Sequence, residues 1–224
     1  MAGFPILSEG AGWIALDKPP GLPVVPGRGE GPSVREQLEA CGRRVFIVHR
    51  LDRDTSGVLL VALDAATHRQ LSMAFEAGQV EKRYLALVLG ELTAPLDVER
   101  ALVPARRGRM RVAREGEAGK PSRTRARPIE TFANATLVEA TPLTGRTHQI
   151  RVHLASAGHP LLVDRQYGRP EPVKTDDHET VVLARTPLHA SRLRVPGLCE
   201  VSSPLPADME QALALLRQGV LRLH

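Results

Sequence analysis

Aromatic residues and cysteines are scarce in this chain of 224 residues, which has one tryptophan, two tyrosines, four phenylalanines and two cysteines. Cys41 and Cys199 lie far apart in the sequence and no secretion signal precedes them, so we expect free, buried thiols and exclude a disulfide-stapled fold. No run approaches the roughly 18 apolar residues of a transmembrane helix. The segment Met1–Gly12 lacks the basic flank and apolar run of a signal peptide. We therefore expect a cytoplasmic protein that does not bind a membrane.

Lysine is also rare, because four of the 30 basic residues are lysines and the remaining 26 are arginines. The formal net charge is +5 and the calculated pI is 9.8. Genomic base composition explains an arginine bias as readily as function does. However, the planar guanidinium group also binds two phosphate oxygens at once. The composition is therefore compatible with an anionic partner but does not identify one.

Positive charge is concentrated between Arg100 and Arg127, where ten basic residues face only Glu115 and Glu117. One interpretation is a solvated surface hairpin. We favour a phosphate-contacting arm, because clustered arginines are the electrostatic signature of nucleic-acid binding. The arginines that we assign to this contact are Arg106, Arg107, Arg109 and Arg111.

Apolar periodicity predicts an α+β fold in which strands and helices are interspersed. Residues 84–89 alternate in a way that leaves both faces apolar, which is typical of a central strand. The predicted strands are Trp13–Asp17, Val58–Leu63, Tyr84–Leu89, Ala135–Ala140, Leu188–Val195 and Glu200–Ser203. The predicted helices begin at Ser33, with Glu36 completing a capping box, and cover Ala65–Glu76, Thr147–Ala157 and Asp208–Leu216.

Several segments combine charged residues, turns and apolar strands in an unusual way. The most informative is His49-Arg50-Leu51-Asp52-Arg53-Asp54-Thr55-Ser56-Gly57, which leads directly into the apolar strand at Val58. Soluble proteins rarely place alternating arginines and aspartates against a core strand without a chemical reason. The other segments are Gly145-Arg146-Thr147-His148-Gln149-Ile150-Arg151, His159-Pro160-Leu161-Leu162-Val163-Asp164, Lys82-Arg83-Tyr84-Leu85-Ala86-Leu87-Val88-Leu89-Gly90 and Lys18-Pro19-Pro20-Gly21.

The first of these segments resembles the catalytic motif H-R-L-D-x-x-T-S-G of the RluA-type RNA pseudouridine synthases. The others are similar to the family's G-R-x-H-Q-[IL]-R, H-P-[IL]-x-G-D, K-x-Y-x-A-x-V-x-G and K-P-x-G elements, with Val163 where glycine is usual. The resemblance extends over roughly residues 10–205. It implies a pseudouridine synthase fold, with a mixed, largely antiparallel sheet, flanking helices and a central RNA-binding cleft. Many members of this family carry an additional small N-terminal RNA-binding domain. Because the first predicted strand begins about a dozen residues into this chain, we expect a single catalytic domain over residues 1–224, without a separate S4-like N-terminal RNA-binding domain.

The resemblance assigns the catalytic carboxylate to Asp52, which either attacks C1′ of the target nucleotide or removes its 2′ proton. Asp54 is the alternative, but it falls where the family motif varies. Arg151 matches the active-site arginine, whose charge would keep Asp52 ionised and oriented. Tyr84 matches the tyrosine that is expected to stack on the target uracil. The alternative interpretations are a surface arginine for Arg151 and an ordinary core residue for Tyr84.

Further contacts with RNA are expected from Arg50, Arg146 and His148. Arg50 would fill the gap that a flipped nucleotide leaves in the RNA. We expect no metal, because His148 and His153 do not have the spacing of a helical zinc site and no C-x-x-C element accompanies them. We also expect no cofactor, because the isomerisation needs no redox step and no phosphate donor.

The expected function is the isomerisation of uridines in ribosomal or transfer RNA by a monomeric protein. Two alternatives remain at this point. One is a glycosidase acting on nucleosides, since an aspartate next to the sugar serves both reactions. The other is an RNA-binding protein of the same fold without activity, although the complete set of Asp52, Tyr84 and Arg151 argues against it.

Overall fold

The computed structural model describes residues 3–27, 31–175, 180–221 and 223. The strands in chain order are β1 (Ile6–Gly10), β2 (Trp13–Lys18), β3 (Phe46–Ile47), β4 (Ser56–Ala62), β5 (Glu81–Leu89), β6 (Leu96–Glu99), β7 (Leu102–Pro104), β8 (Met110–Val112), β9 (Arg123–Phe132), β10 (Ala135–Pro142), β11 (Val173–Lys174), β12 (Val181–Leu183), β13 (Leu188–Val195) and β14 (Cys199–Ser202). The helices are α1 (Val34–Ala40), α2 (Ala65–Glu76), α3 (Gln149–Ser156) and α4 (Ala207–Gln218).

The chain divides into two compact units. The first contains Met1–Lys82 and His189–Pro204, and the second contains Arg83–Leu188 and Leu205–His224. Most of the strand pairs are antiparallel and helices are interspersed among the strands, so the predicted α+β class is confirmed. The predicted single domain over residues 1–224 stays a prediction.

The first unit is built around β4, all of whose residues are buried. Strand β2 pairs with β4 in antiparallel orientation, and β1 pairs with β2. Strand β13 runs parallel to the beginning of β4, and β14 pairs with β13. Leu71 and Phe75 of α2 pack against a cluster that includes Val58 and Leu60 of β4. The strand predicted over Val58–Leu63 is confirmed, with observed bounds of Ser56–Ala62.

The second unit contains an antiparallel sheet with the strand order β5-β10-β9-β6. Leu87 of β5 packs in one cluster with Met209 of α4, whereas Ala86 packs in another with Ile150 of α3. The two helices therefore lie on opposite faces of β5, because successive side chains of a strand point to opposite sides. This arrangement confirms the prediction of a central strand from the apolar residues on both faces.

The helix boundaries agree with their local signals, with one correction. The capping box of Ser33 and Glu36 is present at the start of α1, and α2 has the predicted bounds. The predicted helix over Thr147–Ala157 is wrong at its start, because His148 has a left-handed backbone (φ 55°) and α3 begins after it.

The thiols also differ in part from expectation. Cys41 and Cys199 are both free, as predicted, but Cys41 is exposed and Cys199 is half-buried. Cys41 follows the last residue of the short helix α1 and so is not covered by the core. None of the described helices has the length and apolar composition that are needed to cross a membrane.

Candidate active site

The segment between β3 and β4 carries Asp52, and a histidine anchors its beginning. The Nε2 atom of His49 accepts a hydrogen bond from the backbone N–H of Leu60 at 2.9 Å, and its ring stacks on Phe75 at 4.9 Å. Removal of the ring from water, together with the charge of Lys82, lowers the pKa of His49 to about 3. The imidazole is therefore neutral near pH 7 and serves as an anchor.

A buried lysine holds the middle of the same segment. Lys18 is 1% exposed, and its ammonium group donates hydrogen bonds to three backbone carbonyl groups, including those of Leu22 (2.8 Å) and Arg53 (3.0 Å). These acceptors are required because a buried ammonium without partners is strongly unfavourable. Next to Arg53, the carbonyl of Asp52 accepts a hydrogen bond from the N–H of Thr55 at 3.1 Å. The carboxylate of Asp52 thus projects from a turn whose backbone is fixed.

Ser56 and Gly57, the last two residues of the motif, pack against strand β13. Gly57 has a φ of 105°, and a Cβ atom there would lie 2.3 Å from the carbonyl oxygen of Ala190. A larger residue would therefore clash with the parallel strand β13. The hydroxyl of Ser56 lies 3.0 Å from Nδ1 of the buried His189. These two motif residues join β4 to β13 below the segment that carries Asp52.

In the second unit, Arg151 projects from α3 into a buried ion pair. Its side chain donates two hydrogen bonds to the carboxylate of Asp164, at 2.8 and 2.7 Å, and one to the amide oxygen of Gln166 at 3.0 Å. Arg151 is 7% exposed and Asp164 is 1% exposed. Although burial opposes its ionisation, the hydrogen bonds and charge of Arg151 keep the pKa of Asp164 below its ordinary value. The guanidinium group is therefore held in one orientation.

Asp164 ends the segment that begins at His159, and the sequence had suggested no role for it. It also accepts hydrogen bonds from the backbone N–H groups of Gln166 (2.9 Å) and Tyr167 (3.2 Å). The presence of the aspartate in a family-like element was the available signal. Its partner was not evident, because Arg151 lies thirteen residues earlier in the chain.

Tyr167 is the second residue that the sequence did not indicate. The guanidinium carbons of Arg151 and Arg109 lie 5.0 and 5.6 Å from the centre of its ring. Its hydroxyl oxygen accepts a hydrogen bond from the N–H of Met110 at 2.7 Å and lies 2.7 Å from Nδ1 of His148. The left-handed backbone of His148 belongs to the turn that brings its ring to this hydroxyl group. The signal in the sequence that could have drawn attention to Tyr167 was the scarcity of tyrosine, since the chain has two.

Tyr84 lies in β5, on the same side of the strand as α3. Its partner across the strand pair is Ala140, and it packs at the edge of the cluster that contains Ile150 and Leu154. The side chain is half-buried rather than enclosed in the core. Tyr84 therefore shares a face of the sheet with the helix that carries Arg151.

The arginine-rich segment separates into two parts with different electrostatic surroundings. In β9, Arg125 lies opposite Asp97 of β6, and Arg123 lies opposite Glu99. The resulting ion pairs include one of 2.7 Å between Arg123 and Asp97. Arg127 pairs with Glu139 of β10, and Arg111 pairs with Glu117. The sequence count of two opposing glutamates therefore underestimated the neutralisation of this segment.

The arginine hairpin, which we define as residues 102–112, has a different tip. It consists of β7, a tight 3-10 turn at Arg106–Gly108, and β8. Arg106, Arg107 and Arg109 are exposed there. Within the part of the chain that the structure describes, no carboxylate forms an ion pair with these three side chains. The tip of the hairpin is therefore a concentrated, uncompensated positive charge.

The remaining predicted residues lie in loops. Arg50 is exposed in the segment that carries Asp52, and Arg146 is exposed in the turn before α3. The backbone N–H of Arg146 donates to the side chain of Gln149 at 3.0 Å. The structure thus places Asp52 and Arg50 in the first unit and the other predicted residues in the second. The ion pair between Asp52 and Arg151 stays a prediction.

In residues 3–27, 31–175, 180–221 and 223, no group of three or more His, Cys, Asp and Glu side chains is arranged to hold a metal ion. His148 and His153 are separately engaged, since His153 bonds to Thr124 and to the carbonyl of Arg100.

Comparison with known proteins identifies the family. The model of a family described as RNA pseudouridylate synthase matches residues 12–156. The ribosomal large subunit pseudouridine synthase D of Nitrosomonas europaea is 40% identical, over 95% of this chain and 65% of that protein. The ribosomal large subunit pseudouridine synthase C of Vibrio cholerae is also 40% identical, over 92% of this chain and 67% of that protein. The chain thus spans about two thirds of the length of these relatives.

Two solved human structures have the same fold over nearly the whole chain. The human RNA pseudouridylate synthase domain containing 4 superimposes with a TM-score of 0.79 and 25% identity, covering 95% of this chain and 92% of that one. The human RNA pseudouridylate synthase domain containing 1 superimposes with a TM-score of 0.76 and 26% identity, covering 96% of this chain and 95% of that one. The motifs, the fold and these matches agree, and the chain therefore belongs to the RNA pseudouridylate synthase family.

Proposed function

We propose that this protein converts uridine to pseudouridine in RNA, and that its substrate is the RNA of the large ribosomal subunit. The observation that carries the proposal is the position of Asp52, on a turn whose backbone is fixed by His49 and Lys18. The names of the two bacterial relatives support ribosomal rather than transfer RNA. Such a substrate implies that the protein acts in the cytoplasm, and we propose that it does so as a monomer.

The reaction requires one carboxylate next to the sugar. The N1–C1′ bond breaks, the uracil turns, and C1′ is joined to C5. C5 then loses its proton and N1 gains one, so that substrate and product are isomers. Asp52 either attacks C1′ or removes the 2′ proton, and both routes require its ionised form.

Arg151 and Tyr84 complete the proposed catalytic set. Arg151 provides the positive charge that favours the ionised form of Asp52, and its own orientation is fixed by Asp164. Tyr84 stacks on the target uracil and assists the loss of the proton from C5. Its half-buried position on the face of α3 leaves part of the ring available for this contact.

The RNA backbone is bound by exposed arginines. Arg106, Arg107 and Arg109 form the principal contact, because their charge is not neutralised by carboxylates in the described part of the chain. Arg146, His148 and Arg111 contribute less, since His148 and Arg111 already have partners in Tyr167 and Glu117. Arg50 fills the position of the flipped nucleotide.

The assignment is tested by Asp52→Asn. Tritium release from RNA labelled at C5 of uridine should fall by at least about 1,000-fold, as for the loss of other catalytic groups, while RNA affinity stays within about twofold of the wild-type value. Asp54→Asn, two residues away on the same turn, is the matched control and should remain active. An active Asp52→Asn protein would contradict the assignment, and free uracil as the product would indicate a glycosidase.

The substrate is tested separately in cells. Pseudouridines are mapped in ribosomal and transfer RNA with and without the gene, and with the Asp52→Asn gene restored. We expect one or more pseudouridines of the large-subunit RNA to disappear unless the wild-type gene is present. Loss confined to transfer RNA would overturn the choice of ribosomal RNA but not the reaction.

A further inference from the structure

Tyr167 contacts both the arginine hairpin and the surroundings of Arg151. On the hairpin side, its hydroxyl oxygen accepts the backbone N–H of Met110 and the guanidinium of Arg109 lies over its ring. On the other side, the guanidinium of Arg151 also lies over the ring, at 5.0 Å. The backbone N–H of Tyr167 donates to Asp164, the ion-pair partner of Arg151. One side chain therefore joins the proposed RNA contact to the proposed active-site arginine.

The two guanidinium groups over this ring are not equivalent. Arg151 is buried and neutralised by Asp164, whereas Arg109 is exposed and has no carboxylate partner in the described residues. Both are attracted by the negative face of the ring, and they repel each other as like charges. An RNA phosphate bound to Arg109 would remove this repulsion and fix the position of Arg109 on the ring.

The hydroxyl group of Tyr167 makes this junction rigid. It contacts Met110, which begins β8, and His148, which lies immediately before α3. The hairpin and the helix that carries Arg151 are therefore joined through one oxygen atom. A shift of the hairpin must move this oxygen or break one of its two hydrogen bonds.

We propose that Tyr167 is a positioning residue that couples the arginine hairpin to Arg151, so that RNA bound at Arg109 orients the Arg151 guanidinium for catalysis. This inference rests on the proposed function. It goes further than that function, because it makes one hairpin arginine important for turnover as well as for affinity. The guanidinium of Arg109 lies over the ring of Tyr167, whereas Arg106 and Arg107 should contribute to affinity alone.

The test measures kcat and RNA affinity separately on a fragment of large-subunit ribosomal RNA. Tyr167→Phe keeps the ring and removes both hydrogen bonds of the hydroxyl group, so kcat should fall about tenfold while affinity changes less than about twofold. Arg109→Gln should lower both affinity and kcat, whereas Arg106→Gln should lower affinity alone. In the double variant of Tyr167→Leu and Arg109→Gln, kcat should equal that of Tyr167→Leu, because the ring that carries the contact with Arg109 is absent.

A purely structural role for Tyr167 gives a different result. Leu193→Ala in β13 creates a cavity in the core of the first unit, and serves as a control that lowers Tm without changing kcat below the melting transition. An unchanged kcat in Tyr167→Phe, or losses of kcat that multiply in the double variant, would overturn the inference. If Tyr167→Phe does not fold, Arg109→Gln alone tests the coupling. A loss of RNA affinity without a fall in kcat in that variant would also overturn the inference. A wild-type protein that forms no pseudouridine refutes the proposed function instead, and this inference with it.

Discussion

The segment that carries Asp52 and the surroundings of Arg151 hold a charged side chain in different ways. In the first unit, the contacts run to the backbone: a neutral His49 accepts from one N–H group, and Lys18 donates to carbonyl groups. In the second unit, Arg151 is held by other side chains, above all by the carboxylate of Asp164. The first region therefore depends on shape and on the neutral state of a histidine, and the second depends on charge.

Asp164→Asn gives the largest expected difference between the regions, because it removes the buried negative charge that takes two hydrogen bonds from the guanidinium group of Arg151. Removing one partner from a buried ion pair costs about 3–5 kcal/mol of the free energy of unfolding. We also expect a large fall in kcat, since Arg151 loses its orientation. Urea denaturation and tritium release measure the two effects.

Asp97→Asn is the matched control for this substitution. Asp97 also accepts two hydrogen bonds from one guanidinium group, that of Arg123, at 2.8 and 2.7 Å, but this pair is exposed. Because water screens it, the loss of stability should be far smaller and turnover should not change. Equal losses in the two variants would show that burial does not distinguish the two pairs.

His49→Gln tests the region that is held by backbone contacts. The pKa of His49 is about 3 in the folded protein, against an ordinary value of 6.5. As the pH falls below 6.5, the unfolded chain binds a proton that the folded protein does not, so His49 causes stability to decline by about 1.4 kcal/mol per pH unit. The decline should extend down to about pH 3, and His49→Gln should remove it.

The measurement is the free energy of unfolding of both proteins between about pH 4 and pH 7. The advantage of the wild-type protein over His49→Gln should be largest near neutral pH and should shrink as the pH falls. Burial also lowers the pKa of His153, so part of the pH dependence remains in the variant. Parallel curves for the two proteins would contradict the assignment of a neutral anchor.

The last prediction concerns the arginine hairpin, which extends the charged region around Arg151 to the surface. We expect its effect on RNA binding to be the smallest of these effects. Combined substitution of Arg106 and Arg107 by glutamine should weaken RNA binding and reduce the slope of log affinity against log salt. The reduction should be about 0.7–0.9 for each lost phosphate contact. Arg125 and Arg127, substituted in the same way, are the control, because carboxylates already neutralise them. If the salt slope fell equally in both double variants, surface ion pairs would not determine which arginines contact RNA.

Local patterns were sufficient to predict most of the elements. The bounds of α2 and the central position of β5 follow from apolar periodicity, and the start of α1 follows from its capping box. His148 was wrongly placed on a helix, because a positive φ at a residue other than glycine has no local signal. Cys41 was wrongly expected to be buried, because its burial depends on what covers the end of α1.

The sequence names candidate residues where a motif contains them, as for Asp52, Tyr84 and Arg151, and their catalytic roles stay predictions. Their partners were not predictable, because an ion pair forms between residues that the fold brings together. The register of β6 and β9 places Asp97 opposite Arg125. Asp164 accepts hydrogen bonds from Arg151, which lies thirteen residues earlier in the chain. Pattern and composition thus define the elements, the family and the charged groups of this protein. Only the tertiary structure decides which of those charges are neutralised, buried or left exposed, since strand register and side-chain packing set the distances between them.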